Sequence, residues 1–209
     1  DLESFLEGAT LDLSTTLSIV KQACDALAHA HSHGIIHRDI KPSNLMLLDA
    51  QRVKVMDFGI AKAEWSENLT MDNVIGTPAY MSPEQAKGRK VDSRSDIYSL
   101  GCVLYEMLSG RPPFVLKRGE NPLQLLHRHC EEYPPLLSDL RPGLPGSVVT
   151  LVHAMLAKEP GDRPASCLEI RQQVARIEAT IESPWGEFVE QLSQLRGMGR
   201  RISSQKLKP

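Results

Sequence analysis

The sequence predicts a mainly α-helical fold with one small β-hairpin, and three observations support this prediction. Apolar residues recur every three or four positions over most of the chain, as they do in amphipathic helices. Two short apolar runs, residues 45–48 and 53–56, flank the mostly polar residues 49–52, which is the pattern of a hairpin. Proline pairs and glycines interrupt the helical segments. A chain of 209 residues with 41% hydrophobic residues is long enough for one core or a small two-part domain.

The helices are expected to begin at capping residues and to end at glycine or proline. Ser14 is the expected N-cap of the first long helix, which Gly34 ends, and Ser95 and Asp96 open a helix that Gly110 stops. This second helix is apolar nearly all round, so it is expected at the centre of the fold. A short turn of helix is expected at residues 1–7, and longer helices at 121–131, 147–157 and 166–181, the last with Leu168, Ile170, Val174 and Ile177 facing inward.

Composition and charge exclude several classes of function. The net charge of −2 argues against nucleic-acid binding by bulk electrostatics, and no run of 18 apolar residues could span a membrane. The four cysteines are far apart and form no C-x-x-C pair, so we expect small buried side chains and no zinc site. His29, His31 and His33 are likewise interpreted as structural. The N-terminus carries no signal-peptide pattern and no initiator Met, which suggests a piece of a longer chain.

The chemistry is concentrated in residues 37–44, HRDIKPSN, and residues 57–59, DFG. A short hairpin between them would fold Asp57 back beside Asn44. An amide oxygen and a carboxylate would then face one space, near the Asp39 carboxylate and the Lys41 ammonium. Hard oxygen ligands of this kind suit Mg²⁺ shared with substrate phosphates.

A third block, GTPAYMSPE at residues 76–84, follows in order. The three blocks resemble the catalytic loop, the metal loop and the substrate-binding segment of protein kinases. The sequence is therefore identified as similar to the bacterial-type, eukaryotic-like serine/threonine protein kinases. The resemblance covers residues 1–182 and only the C-terminal lobe. The Gly-rich strands, the phosphate-gripping Lys and its Glu partner of the N-terminal lobe have no counterpart in these 209 residues, so this chain alone is expected to be a very poor kinase.

The resemblance implies ATP and Mg²⁺ as cofactors, with Mn²⁺ a second candidate ion. It implies that Asp39 is the base or orienter for the substrate hydroxyl, that Lys41 stabilises the moving charge, and that Thr77 hydrogen-bonds both of them. Asn44 and Asp57 would hold the metal. The remaining nucleotide contacts that it implies are Asp1, Leu2, Ser43 and Met46. From the residues alone, Asp1 is equally well a frayed terminus, and Met46 is equally well part of the core.

Further residues are assigned structural or regulatory roles. Glu84 would pair with Arg163, and Asp96 would hold the backbone of the catalytic loop, although an ordinary helix cap explains Asp96 as well. His37 would pack against Phe58. Arg38 would bind a phosphate on Thr70, or less favourably on Ser66, and so order residues 60–75. A Thr70→Ala variant of the full-length enzyme with unchanged activity would contradict this hypothesis.

Residues 183–209 are expected to form one more amphipathic helix and then a basic linker. A juxtamembrane stretch, or a phosphorylation site at Ser203, explains the basic end as well.

The resemblance leaves two classes of function open. The chain is either the catalytic lobe of an active serine/threonine kinase or a non-catalytic lobe that binds protein partners. In the first case the partners are a protein substrate and an N-terminal lobe in the same or another chain, with no nucleic acid and no membrane span in this chain. The location is expected to be cytoplasmic, with the cytoplasmic part of a membrane-anchored kinase as a variant.

Overall fold

The computed structural model describes residues 1–7, 11–49, 52–58 and 78–183. Within these ranges the chain forms eight α-helices, three of them with only four or five residues, and one two-stranded antiparallel sheet. In chain order the helices and strands are α1 (Leu2–Leu6), α2 (Leu13–Ser32), β1 (Leu45–Asp49), β2 (Arg52–Val55), α3 (Pro83–Ala86), α4 (Ser93–Ser109), α5 (Pro122–Glu131), α6 (Leu137–Leu140), α7 (Gly146–Met155) and α8 (Cys167–Glu182). The predicted fold class is confirmed, while the short helices α3 and α6 were not expected.

Helix α2 begins at a different cap from the predicted one. Asp12 is the N-cap, because its carboxylate accepts hydrogen bonds from the Thr15 backbone N–H at 2.8 Å and from the Thr15 hydroxyl at 2.6 Å. The prediction that Ser14 caps the helix is therefore wrong. The end of the helix is as predicted, since Gly34 adopts a φ of 73°, a conformation that glycine reaches without steric cost.

The hairpin is longer than the sequence indicated. Strand β1 reaches Asp49 and β2 begins at Arg52. The prediction had assigned residues 49–52 to the loop between the strands. The pairing of Leu45 with Val55 sets the register, which shifts by one residue between Leu47 and Asp49. Such a shift marks a β-bulge, and it lets two further residues pair at the turn.

Helix α4 is the centre of the core, as its apolar sequence predicted. Between Ser95 and Leu108 every residue except Glu106 is buried. A side chain at Gly101 would lie 2.9 Å from the Cβ of Met155, so this glycine lets α7 approach closely. The helix starts two residues earlier than predicted, because Asp92 is its N-cap. Neither Ser95 nor Asp96 caps it.

Helix α8 packs along α2, and the surface ion pairs Lys21–Glu178 and Asp25–Arg171 join the two. Its N-cap is Ser166, as predicted. Ile170, Val174 and Ile177 face the core, but Leu168 is 54% exposed and the prediction for it is wrong. Helical spacing puts Leu168 on the face opposite Ile170, and the buried Cys167 takes the core-facing position in the first turn. Helix α7 also ends two residues before the predicted boundary.

All four cysteines are free and buried. A search of the described residues finds no helix with the length and apolar content needed to cross a bilayer.

Candidate active site

The hairpin brings Asn44 and Asp57 together. Asn44 ends a short 3-10 turn, Pro42–Asn44, and its carbonyl accepts a hydrogen bond from the backbone N–H of Met56 at 2.8 Å. Asp57 is the next residue and has a φ of 51°, which turns the chain directly after β2. Non-glycine residues rarely adopt such a φ, and they persist in it where the surrounding structure holds them.

The carboxylate of Asp39 lies among the polar groups of the same turn. The Nζ atom of Lys41 is 3.4 Å from its Oδ2 atom, and both side chains are partly exposed. Asn44 is buried, and its amide nitrogen donates to the Asp39 carbonyl at 2.7 Å and to its carboxylate at 3.3 Å. These hydrogen bonds fix the position of Asp39 relative to the turn.

The residues around this turn fit a divalent cation such as Mg²⁺. Because the amide nitrogen of Asn44 is used by Asp39, its amide oxygen is directed away and can serve as a ligand. The exposed Asp57 supplies a carboxylate. An oxygen-only donor set with few protein ligands is what Mg²⁺ takes when phosphates and water complete its coordination. No cluster of three or more His, Cys, Asp or Glu side chains suited to a metal occurs in the described parts of the chain.

Asp96 holds the backbone of the loop that contains His37 and Arg38. Asp96 is 1% exposed, and its two carboxylate oxygens accept hydrogen bonds from the backbone N–H groups of His37 at 2.9 Å and Arg38 at 2.8 Å. The predicted contact with the catalytic loop is thus present, and it does not involve helix capping.

His37 packs where the sequence placed it. Its ring centroid is 4.6 Å from that of Phe58, and its Nε2 atom bonds the Met56 carbonyl at 2.7 Å. The side chain therefore ties the loop to the end of β2.

The predicted pair of Glu84 and Arg163 is present and almost completely buried. Two parallel hydrogen bonds of 2.7 and 2.8 Å join the guanidinium to the carboxylate. Burial alone would raise the pKa of Glu84, but hydrogen bonds from Arg163 and Ser95 outweigh this effect and lower the pKa below its usual value. Arg163 also donates to the backbone carbonyls of Ala157, Arg94 and Lys158.

Residues 80–84 form a ledge, here called the substrate shelf, that lies against α4. The Ser99 hydroxyl donates to the Tyr80 carbonyl at 2.7 Å, and the Tyr80 hydroxyl donates to the Glu106 carboxylate at 2.6 Å. Burial raises the pKa of both Tyr80 and Glu106. The shelf and the catalytic loop are therefore attached to the same helix.

The residues that the resemblance assigned to nucleotide binding differ in their exposure to solvent. Asp1 is an exposed N-cap of α1, and one carboxylate oxygen accepts from Ser4 at 3.0 Å, so the residue is not frayed. Met46 is half-buried on β1, and Ser43 lies in the 3-10 turn. Leu2 is 0% exposed and lies within the core. A ligand cannot contact Leu2 there. The direct nucleotide contact that the resemblance implied for this residue is therefore absent, and its side chain packs in the core instead.

Thr70, Thr77 and Ser66 lie outside the described residues, as do all of residues 60–75 and the basic tail.

The comparisons with known proteins agree with this geometry. The model of the protein kinase domain matches residues 1–185. The chain belongs to the protein kinase family. Its relatives include the serine/threonine-protein kinase PknB of Mycobacterium leprae, which is 44% identical over an alignment of 185 residues that covers 83% of this chain and 29% of the relative. The probable serine/threonine-protein kinase PknB of Corynebacterium glutamicum is 42% identical over 77% of this chain and 25% of its own length.

Solved structures of kinases share the fold. The kinase domain of PknI from Mycobacterium tuberculosis is 29% identical, with a TM-score of 0.63 over 84% of this chain and 61% of that domain. The chain thus spans less than a third of the curated kinases it matches. The family is that of the bacterial-type serine/threonine protein kinases, as the three sequence blocks indicated.

The sequence analysis missed the partner of one buried residue. His31 was interpreted only as structural, but its Nε2 atom lies 2.7 Å from the Asp96 carboxylate. Its Nδ1 atom lies 3.9 Å from the thiol of Cys167. The signal was present in the spacing, because Val20, Cys24 and Leu27 precede His31 on the same buried face of α2.

We expect His31 to make the stability of this lobe pH-dependent. Burial alone would lower the pKa of His31, but hydrogen bonds to Asp96 and Cys167 outweigh it and raise the pKa from 6.5 to about 9. A group whose pKa is raised on folding stabilises fully below its unfolded pKa and loses that effect as pH rises through its folded pKa. The stability gap between wild type and His31→Gln should be largest near pH 6 and should shrink between pH 6.5 and 9.

Urea denaturation of the protein at several pH values, followed by hydrogen exchange in α2 and α4, measures this gap. His33→Gln is the matched control, since His33 is exposed on the same helix end. A gap that stays constant across the pH range would refute a charged His31.

Proposed function

We propose that this chain is the catalytic lobe of a protein kinase that transfers the γ-phosphoryl group of ATP to serine and threonine hydroxyls of proteins. The observation that carries the proposal is the grouping of Asp39, Lys41, Asn44 and Asp57 around one hairpin. A module that only binds partners has no need of all four together. The names of the curated relatives support the same choice of acceptor.

Each of these side chains has a task in the transfer. Asp39 orients the acceptor hydroxyl and accepts its proton, since its carboxylate is held by Asn44 and lies beside a cation. Lys41 is placed to stabilise the charge of the moving phosphoryl group. Mg²⁺ or Mn²⁺, when bound, neutralises phosphate charge, and the oxygens of Asn44 and Asp57 would hold it.

The protein substrate would lie along the substrate shelf. The shelf is fixed by Ser99 and Glu106 of α4 and by the buried pair of Glu84 and Arg163. We propose that groups outside these 209 residues cover the phosphates, because electrostatic stabilisation needs a water-poor site. The compartment that fits ATP and free thiols is the cytoplasm.

A transfer assay tests this function directly. In the test, this chain together with the groups proposed to cover the phosphates, called the longer protein below, is incubated with ATP, MgCl₂ and a mixture of Ser/Thr peptides. Phosphorylated residues are identified by mass spectrometry. We expect phosphoserine or phosphothreonine, and we expect chelation of the cation to abolish its formation. A longer protein that binds partners but transfers no phosphate, with or without Mg²⁺ or Mn²⁺, would instead identify a non-catalytic lobe.

A further inference from the structure

Gln85 connects the substrate shelf to the catalytic loop through the two ends of its amide. The residue lies directly after the shelf, in α3. Its Oε1 atom accepts from the Ser82 backbone N–H at 3.2 Å and from the Ser82 hydroxyl at 3.0 Å, which completes a capping box. Its Nε2 atom donates to the backbone carbonyl of Arg38 at 2.9 Å. A capping residue ordinarily serves only its own helix, so the second contact needs a separate explanation.

The peptide that Gln85 holds is the one that orients Asp39. Arg38 has a φ of 66° and, with Asp57, is one of two non-glycine residues with positive φ in the described ranges. The peptide unit between Arg38 and Asp39 is fixed on both edges, since its carbonyl accepts from Gln85 and its N–H lies 3.2 Å from Nδ1 of His37. Rotation of this unit would turn the Asp39 carboxylate away from Lys41 and Asn44.

The strained backbone at Arg38 is held on its other side as well. The N–H of Arg38 donates to Asp96 at 2.8 Å, so both peptide groups of this residue have side-chain partners. Residues in sparsely populated conformations persist only when their surroundings hold them. Asp96 supplies the partner from the core, whereas Gln85 supplies the partner from the substrate side.

We propose that Gln85 is a positioning residue for phosphoryl transfer, which fixes the peptide before Asp39 and links it to the substrate shelf. This inference rests on the proposed kinase function. It predicts that loss of the Nε2 donor lowers the turnover number more than it alters substrate binding. Alignment errors of about an ångström commonly cost about a hundredfold in rate.

The test is Gln85→Glu in the longer protein. Glutamate keeps an oxygen that can accept from Ser82 but presents a second oxygen, without a proton, to the Arg38 carbonyl. We expect kcat to fall by about ten- to a hundredfold, with the KM for ATP changed by less than about twofold. Gln85→Met, which removes both polar ends without adding charge, should lower kcat to a similar degree.

A matched control separates this role from helix capping. Gln124→Glu makes the same exchange in the capping box of α5, where Gln124 bonds to its own cap, Asn121. This control should retain kcat within about twofold, because it does not touch the peptide before Asp39.

A second measurement does not depend on activity. Hydrogen exchange of the peptide covering residues 35–45 should be faster in Gln85→Glu than in wild type or the Gln124→Glu control. Faster exchange with a selective loss of kcat supports the proposal. It is overturned if Gln85→Glu keeps wild-type kcat, if Gln124→Glu loses as much, or if exchange is unchanged. Where wild type transfers no phosphate, the kinase function fails, and exchange alone decides whether Gln85 holds the loop.

Discussion

Replacing Asp39 with asparagine in the longer protein is expected to lower kcat for phosphoryl transfer by about 10²–10⁴-fold. Asparagine has the same shape and can still accept from Asn44, but it carries no charge opposite Lys41 and cannot take a proton from the acceptor hydroxyl. The side chain is partly exposed and not part of the core, so the fold should be unaffected.

The measurement combines steady-state kinetics with thermal unfolding of both proteins. Asp25→Asn is the matched control, since this aspartate lies on the outer surface of α2 and pairs only at the surface with Arg171. A variant that retains activity within a fewfold of wild type would remove Asp39 from the chemistry. An equal loss in a variant that unfolds at a lower temperature would attribute the effect to stability.

Of the substitutions proposed, the removal of Arg163 is expected to lower the free energy of unfolding the most. In Arg163→Met the Glu84 carboxylate stays buried without its cation, and three backbone carbonyls lose a donor. Breaking one side of a buried ion pair typically costs about 3–5 kcal/mol, a large part of the 5–15 kcal/mol that stabilise a typical domain. The substrate shelf, which includes Glu84, should lose its protection against hydrogen exchange first.

The comparison with a surface pair isolates the effect of burial. Arg171→Met removes the cation of an exposed pair and should cost less than about 1 kcal/mol. Replacing both partners, as in Glu84→Leu with Arg163→Met, should restore part of the loss, because no charge is then left buried. Free energies of unfolding come from denaturant-dependent hydrogen exchange of residues 83–183 in the longer protein. A loss for Arg163→Met no greater than that for Arg171→Met would contradict the structural role of the pair.

Acid should weaken the same pair. Because the folded pKa of Glu84 lies below its usual value of 4.5, the stabilising effect of its carboxylate is present above that pH and is lost as pH falls through the folded pKa. The difference in the free energy of unfolding between wild type and Arg163→Met should therefore become smaller in acid.

Local patterns predicted the site better than they predicted the helix boundaries. The hairpin places Asp57 beside Asn44, and this followed from two apolar runs and a short polar connection. The cap of α2 was wrong because Asp12 and Ser14 are both capping residues two positions apart, and only the geometry shows which accepts the Thr15 N–H. The prediction for Leu168 failed because this residue lies on the opposite face of α8 from Ile170, Val174 and Ile177, and the buried Cys167 takes the core-facing position in the first turn.

Long-range contacts explain what the sequence could not predict. The bond from Gln85 to Arg38 joins residues 47 positions apart, and that from His31 to Asp96 joins residues 65 apart. Nothing in the local sequence distinguishes Gln85 from Gln124, which occupies the same place in another capping box. The pair of Glu84 and Arg163 was predicted only because the resemblance supplied it.

The common attachment of the catalytic loop and the substrate shelf to α4 has a consequence for specificity. Asp96 holds one segment and Ser99 and Glu106 hold the other, so both are positioned relative to a single buried helix. Under the proposed function, side chains on the outer surface of the shelf can therefore be exchanged without moving the acceptor hydroxyl relative to Asp39. Such exchanges would alter peptide preference and leave the rate of the chemical step unchanged, so that one scaffold would serve many substrates.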